Sequence, residues 1–157
     1  MLDLTKVYEK IAHSIAADLQ MYIGLNMVKT NFDFKKLKSK AAKKNPNVGE
    51  GTLRIRSGNL YRSFSPKRKD AGNILEIETK KEGLIMRYGS SIVYAAIHEF
   101  GGTAGKGGSA VIPARPYFGP GIEEWKKDKM NETVSEAKQE IIEGVRKWLA
   151  SQKRSKR

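Results

Sequence analysis

The sequence predicts a single α+β domain in which a long N-terminal and a long C-terminal helix pack on a small antiparallel β-sheet. Two amphipathic patterns of helical period lie near the two ends of the chain, and two short alternating segments lie between them. Helices of this kind bury their apolar stripes by lying on a sheet. The chain has 157 residues, enough for one ordinary domain. We expect this domain to span residues 1–150, followed by a basic tail at residues 151–157.

The first predicted element is a helix from about residue 4 to about residue 29. Apolar residues recur every four positions along it, with small or apolar neighbours on the same stripe: Val7, Ile11, Ile15, Leu19 and Ile23, flanked by Ala12, Ala16 and Met27. A lysine-rich stretch follows at residues 34–45, and a cluster of Asn, Pro and Gly occupies residues 45–51. This composition is typical of a long, basic, flexible loop over residues 34–51.

The middle of the chain predicts a β-hairpin and a short helix. A Ser-Gly turn precedes Leu60 and Phe64, whose spacing fits one helical turn or a short strand entry equally well. Alternation over residues 74–79 and a second apolar segment from Leu84 are typical of two paired strands. A short helix over residues 92–100 follows, because four apolar residues share one helical face: Val93, Ala96, Ile97 and Phe100.

The last part of the chain predicts a loop, an extended segment and a long helix. Gly101 and Gly102 end the short helix and open a Gly-rich loop over residues 101–109, which has little reason to be ordered alone. Residues 110–118 are expected to be extended, since a residue that precedes proline is pushed toward β or polyproline geometry. Beyond Gly121, apolar residues at intervals of three to five positions predict one long C-terminal helix.

Composition excludes several classes of protein. The chain has no cysteine, so disulfides, thiolate metal sites and cysteine nucleophiles are impossible. Its first 20 residues mix acidic and basic side chains with apolar ones, unlike a secretory signal. No apolar segment approaches the roughly 20 residues that cross a bilayer. We therefore expect the protein to be made and used in the cytoplasm of the cell that produces it, without a membrane partner.

The formal net charge of +13 favours polyanions or acidic protein surfaces as partners. Much of the excess lies in residues 152–157 and in the basic loop. The lysines of that loop are candidates for contact with DNA or with an acidic protein: Lys35, Lys36, Lys38, Lys40, Lys43 and Lys44. A solvated loop without a partner is the alternative interpretation.

The segment YAAIHEFGGTAGKGG, residues 94–108, contains the beginnings of two catalytic motifs, and both fail. A zinc protease needs a second histidine four residues after His98, and that position is Gly102. A phosphate-binding loop needs glycine five residues before Gly105 and a hydroxyl after Lys106, where the chain has Phe100 and Gly107. Neither a metal nor a nucleotide cofactor is expected.

Other catalytic arrangements have no support either. The nucleophile elbow G-x-S-x-G does not occur, and the chain has two histidines in all. His98 and Glu99 are adjacent on a predicted helix, so their side chains point about 100° apart. The sequence therefore predicts a protein that is not an enzyme.

Three segments resemble the phage virion-morphogenesis or tail-completion family of tailed bacteriophages. RSGNLYRSF at residues 56–64 is similar to the family's [TS]-G-x-L-x-x-S signature. YAAIHEFGG at residues 94–102 is similar to Y-A-x-x-H-x-F-G-G, and IPARPYFGP at residues 112–120 is similar to I-P-A-R-P-F. Their order and spacing also fit. The chain departs from the pattern at Glu99, where Gln is frequent, and at Tyr117, where Phe is frequent.

The resemblance implies a small structural subunit of the head–tail junction that completes or ends the tail, as a ring of copies in the virion. Its implied partners are the connector or stopper on the head side, the tail terminator or tube, and further copies of itself. The implied assembly residues are those of the three segments: Ser57, Gly58, Leu60, Ser63, Tyr94, His98, Phe100, Gly101, Gly102, Ile112, Pro113, Ala114, Arg115, Pro116, Tyr117 and Phe118.

Individual residues of these segments have more than one interpretation. Two nearby prolines fix the backbone around Arg115, which suits a carboxylate contact across an interface or within the subunit, for example with Glu99. Tyr94 and Tyr117 fit an interface or the core, whereas Phe100 and Phe118 are predicted to be core. His98 fits either a pH-sensitive contact or a side chain that hydrogen-bonds the loop that follows it, and we expect the second. The Gly-rich loop either orders against a neighbouring subunit or stays mobile.

A nucleic-acid-binding module is the alternative function. The net charge of +13 and three tyrosines available for stacking support it: Tyr61, Tyr88 and Tyr94. The basic residues form no recognition-helix pattern, so only binding without sequence preference is predicted.

Overall fold

The computed structural model describes residues 4–28, 59–68, 72–80 and 83–154. This part of the chain contains five α-helices and four β-strands, which confirms the predicted α+β class. In chain order they are α1 Thr5–Val28, α2 Asn59–Arg62, β1 Asn73–Lys80, β2 Gly83–Ser90, α3 Val93–Phe100, β3 Gly102–Ala104, β4 Ala110–Ile112, α4 Phe118–Asp128 and α5 Met130–Arg154. The predicted basic loop, with its six lysines, lies outside the described residues, as do Ser57 and Gly58.

The strands form two separate antiparallel hairpins. In the first, β1 pairs with β2, and Asn73 lies opposite Ser90. In the second, β3 pairs with β4, and Gly102 lies opposite Ile112. The Gly-rich segment is therefore a short hairpin, and the prediction of an irregular loop is wrong for its strands. Cross-strand pairing satisfies the backbone groups of these residues, which an apolar pattern search does not detect.

The C-terminal region is two helices and not one. The break is at Lys129, whose backbone leaves helical geometry with φ −123° and ψ −22°. The N–H of Lys129 still donates to the carbonyl of Trp125 at 2.8 Å and ends α4. Thr133 then donates its hydroxyl to the carbonyl of Lys129 at 3.0 Å within the first turn of α5. Helix α5 continues to Arg154, past residue 150, where the tail is predicted to begin.

The core lies where α1 crosses α4. A Cβ atom on Gly121 would lie 2.9 Å from the Cα of Ile23, so glycine is needed for the two helix backbones to approach this closely. Asn26 is buried beside this crossing, and its Nδ2 donates to Oε2 of Glu124 at 2.9 Å. The buried core cluster combines three residues of α1 with two aromatic residues from distant segments: Leu19, Ile23, Met27, Phe64 and Tyr117.

Helix α5 also packs on α1, along the N-terminal half of that helix. Gly144 lies against the side chains of Leu4 and Val7. Lys10 forms an ion pair with Glu140 at 2.6 Å, on a surface where such pairs contribute little to stability. Among the helices that the structure describes, none combines the length and the apolar character that a bilayer crossing requires.

Candidate assembly site

The ring of Phe64 in the first segment is almost fully buried, and it packs against the third segment, which in turn contacts the second. Its centroid lies 5.9 Å from that of Tyr117 and 5.5 Å from that of Phe118, both in the third segment. The hydroxyl of Tyr117 donates to the carbonyl of Ala95 in the second segment at 3.2 Å. Tyr117 and Phe118 therefore pack inward. This confirms the prediction of a core role for Phe118, which packs against the buried cluster while partly exposed.

The first segment is fastened to the β1–β2 hairpin by Ser63. This fully buried side chain donates to the carbonyl of Leu60 at 2.7 Å and shares a hydrogen bond with the hydroxyl of Ser90 at 2.7 Å. The hydroxyl of Tyr88 donates to the carbonyl of Phe64. Burial raises the pKa of the Tyr88 hydroxyl most, and the neighbouring Tyr61 raises it further. Ser63 and Leu60 thus hold the fold in place, and neither presents a group to solvent for chemistry.

The second and third segments are joined by the carboxylate of Glu99. Its Oε2 accepts the backbone N–H groups of Tyr117 at 2.8 Å and Phe118 at 2.9 Å, and its Oε1 accepts that of Gly119 at 2.9 Å. These three groups open α4, which has no side-chain cap at its own N-cap residue. A carboxylate there satisfies free donors and faces the positive end of the helix dipole. Glu99 is therefore a long-range helix cap.

The end of α3 is held just as closely to the backbone that follows β4. The N–H of Arg115 donates to the carbonyl of His98 at 2.7 Å. Gly101 has φ 75°, and a Cβ atom on it would lie 2.9 Å from the backbone nitrogen of Ala114. Only glycine fits both conditions. The Gly101 position in the motif is thus explained by contact with the third segment.

Arg115 and His98 are neighbours in this region. The Arg115 residue is buried, at 8% exposure, and burial lowers the pKa of its guanidinium, which remains charged. Burial lowers the pKa of the His98 imidazole most, and the charge of Arg115 lowers it further. Within the described residues, Nδ1 of His98 is buried without a hydrogen-bond partner. The expectation that this ring hydrogen-bonds the following loop is wrong for Nδ1, which is buried where no donor or acceptor of the described residues reaches it.

One face of α3 points to solvent. Phe100 is 80% exposed, so its predicted place in the core is wrong. Helix α3 buries Ala95 instead, and the face with Val93 and Phe100 turns outward. Tyr94 is 42% exposed, with its ring edge-on to His98. On the hairpin that follows, Val111 is also largely exposed. We call Val93, Phe100 and Val111 the outer corner.

The remaining motif residues lie in β4 and in the backbone that follows it. Ile112 ends β4 opposite Gly102. Pro113, Ala114 and Pro116 form the irregular backbone between β4 and α4, and their side chains are exposed.

Sequence reasoning does not identify Glu99 as the link between the second and third segments, because a capping side chain normally lies next to its helix, whereas Glu99 precedes Tyr117 by 18 residues. No group of three or more His, Asp or Glu suited to a metal ion occurs in the described part.

Comparison with known proteins agrees with the sequence segments. A profile of the phage virion morphogenesis family matches residues 2–150. The chain is also 30% identical, over 121 residues, to the Mu-like prophage FluMu G protein 2 of Haemophilus influenzae; the match covers 74% of this chain and 76% of that protein. No solved structure gives a significant match. With almost its whole length matched, and with its three motifs folded into one connected unit, the chain belongs to the phage virion morphogenesis family.

Proposed function

We propose that this virion protein is a subunit of the head–tail junction that completes or ends the tail and helps join it to the head, as a ring of copies. The observation that carries the proposal is the link between the second and third segments through Glu99. This link fixes α3 and the β3–β4 hairpin on the N-terminus of α4. It therefore gives the outer corner a defined position from which to contact a neighbouring protein.

The same contacts favour a role without enzymatic activity. The carboxylate of Glu99 accepts three backbone N–H groups, so it is committed to holding the fold. The carbonyl of His98 holds the Arg115 segment. We expect His98→Ala and Glu99→Ala to impair folding or assembly and to have no catalytic phenotype. Stoichiometric, tightly bound zinc in the purified protein would contradict this expectation.

The proposed partners are the connector or stopper on the head side and the tail terminator or tube on the other. The protein would assemble in the cytoplasm of the bacterial host and remain in the neck of the virion. A net charge of +13 suits a ring through which DNA passes. The six lysines of residues 35–44 are proposed to contact that DNA or an acidic surface of the next ring.

Complementation tests the proposal. The gene is inactivated in the phage that encodes it, and the protein is supplied in trans with a peptide tag. We expect heads and tails that fail to join without the protein, infectious particles with it, and gold-labelled tag at the junction in electron micrographs. Label along the whole tail or on the head, or complete particles without the protein, would overturn the proposal.

A nucleic-acid-binding module without sequence preference is the second candidate, supported by the charge of +13. Counterion release makes such binding fall steeply as salt rises. A monomer whose affinity for a short DNA duplex falls by several orders of magnitude between about 50 and 200 mM salt would favour this candidate. Ring formation that is insensitive to salt would favour the junction protein.

A further inference from the structure

Helix α5 has an apolar face that stays exposed in the described part of the chain. Ile142 and Leu149 are 42% and 49% exposed, and Val145 between them is half-buried. The contacts with α1 are made by Glu140 and Gly144 instead. At about 100° per residue, Ile142 and Leu149 lie more than about 120° around the helix from these two residues. The apolar face therefore points away from α1.

The spacing of this face is that of a helix-pairing seam. Intervals of four and three residues alternate along it: Lys138, Ile142, Val145, Leu149 and Gln152. Apolar residues at such intervals keep one edge of a helix facing a second helix. From its first to its last residue this edge is roughly 20 Å long, or about four helical turns. We call these five residues the α5 seam.

The α5 seam carries positive charge without a counter-charge. Lys138 lies within it, and Arg146 and Lys153 lie seven residues apart along its flank, all three of them exposed. Three of the four carboxylates of α5 are paired with lysines. All four lie about 120° or more around the helix from the centre of the seam: Glu132, Glu136, Glu140 and Glu143. Within the described residues, none of the three basic side chains of this surface forms an ion pair.

An acidic helix of another protein complements this surface. A second copy of the chain does not, because copies with a charge of +13 repel each other. DNA offers negative phosphates but no apolar stripe on which Ile142 and Leu149 can pack. In paired helices, charged residues beside the seam form ion pairs with the partner and decide which partner is accepted. Carboxylates opposite Arg146 and Lys153 complete such pairs.

We propose that the α5 seam binds an amphipathic helix of a different protein. The apolar stripe of that helix packs on Ile142, Val145 and Leu149, and its carboxylates pair with Arg146 and Lys153. Lys138 sets the register, since a charged residue within a seam requires an opposite charge across from it. This inference goes beyond the proposed function, because it depends neither on a ring nor on a position in the virion.

A designed peptide tests the α5 seam directly. The probe has about four heptads with Leu at both seam positions and Glu on both flanks, so that its own carboxylates keep it from pairing with itself. The control peptide has the same composition in scrambled order, and therefore the same charge without an apolar stripe. In titration calorimetry, we expect the full-length protein to bind the probe at least about tenfold more tightly than the scrambled peptide.

Matched charge reversals locate the binding. Arg146→Glu combined with Lys153→Glu places like charges opposite each other and should weaken binding of the probe at least about tenfold. Lys106→Glu combined with Lys127→Glu is the control, because it changes the net charge equally at two exposed lysines outside α5. At about 0.15 M salt, which screens distant charges, this control should bind the probe like the wild type. Leu149→Asp should weaken binding at least about tenfold, since the contact would bury a charge.

Three outcomes overturn the inference. These are equal binding of the probe and the scrambled peptide, equal weakening by the two charge-reversed variants, and a Leu149→Asp variant that binds like the wild type. Circular dichroism shows whether each variant is folded, which is expected since every substituted side chain is exposed.

Two further probes distinguish other partners. Short duplex DNA, or vesicles that contain phosphatidylglycerol, overturn the acidic helix if they bind more tightly than the peptide and lose that binding in the Arg146→Glu, Lys153→Glu variant. None of these measurements bears on the position of the protein in the virion, which the complementation experiment tests.

Discussion

Oε1 of Glu99 lies 2.9 Å from the backbone nitrogen of Gly119, 20 residues further along the chain. Together with the contacts to Tyr117 and Phe118, this hydrogen bond lets a side chain of the second segment cap helix α4, which begins in the third segment. The two motifs are thus one structural unit.

Replacing Glu99 should reveal the capping role. Glu99→Ala leaves three N–H groups at the start of α4 without their acceptor, and we expect a loss of about 1–3 kcal/mol in the free energy of unfolding. Glu99→Gln keeps one oxygen acceptor and should lose clearly less. Urea denaturation of both variants measures the difference. Equal losses would mean that the carboxylate does not cap the helix.

The α1–α4 crossing should not tolerate a methyl group. In Gly121→Ala the new Cβ meets the backbone of Ile23 at 2.9 Å, so the helices must move apart, at an expected cost of about 1–3 kcal/mol. Gly144→Ala is the control, because its Cβ would meet only side-chain ends of Leu4 and Val7 at 3.2–3.3 Å. In thermal denaturation, the melting temperature of Gly144→Ala should lie well above that of Gly121→Ala. The reverse order would contradict the close crossing.

Two phenylalanines of the motif region should behave in opposite ways. Phe64→Ala empties the centre of the aromatic cluster and should cost about 3–5 kcal/mol. Phe100→Ala removes an exposed side chain, and its free energy of unfolding should change by less than about 0.5 kcal/mol. Denaturant titration of the two variants checks both values. A large loss of unfolding free energy in Phe100→Ala would mean that this side chain lies in the core, as the sequence pattern predicts.

His98 should make stability depend on pH. Because burial and Arg115 lower its pKa below the ordinary 6.5, the unfolded chain binds more protons than the folded one between these two values. The melting temperature should therefore fall as the pH is lowered through 6.5 and level off below the pKa of the folded state. His98→Gln should remove this component of the pH dependence. An unchanged profile in the variant would rule out His98 as its source.

The long elements could be predicted because their periodicity is strong. Helix α1 begins and ends within one residue of its predicted bounds, and the β1–β2 hairpin lies where alternation indicates it. For α3, the pattern identifies which residues share a face but not whether that face turns inward. The outward position of Phe100 follows from the packing of Ala95 and Tyr117, which is tertiary information.

The C-terminal break and the Glu99 cap are two further features that the sequence pattern does not predict. No proline or glycine marks Lys129, and the five-residue step from Trp125 to Met130 is the one irregularity in the apolar spacing. A cap supplied from 18 residues away leaves no local signal, because capping patterns are defined by neighbours in the chain. The resemblance predicts the family, which the family profile confirms, whereas the physical roles of the motif residues require the folded contacts.

The hydrogen bond between Asn26 and Glu124 joins positions 98 residues apart. A ribosome that adds 5–20 residues per second needs roughly 5–20 s to make the intervening chain. During that time the apolar side of the first helix has been synthesised and its partner has not. Nascent chains stalled before residue 124 should therefore recruit holding chaperones, and the yield of native protein should depend on how quickly translation reaches the fourth helix.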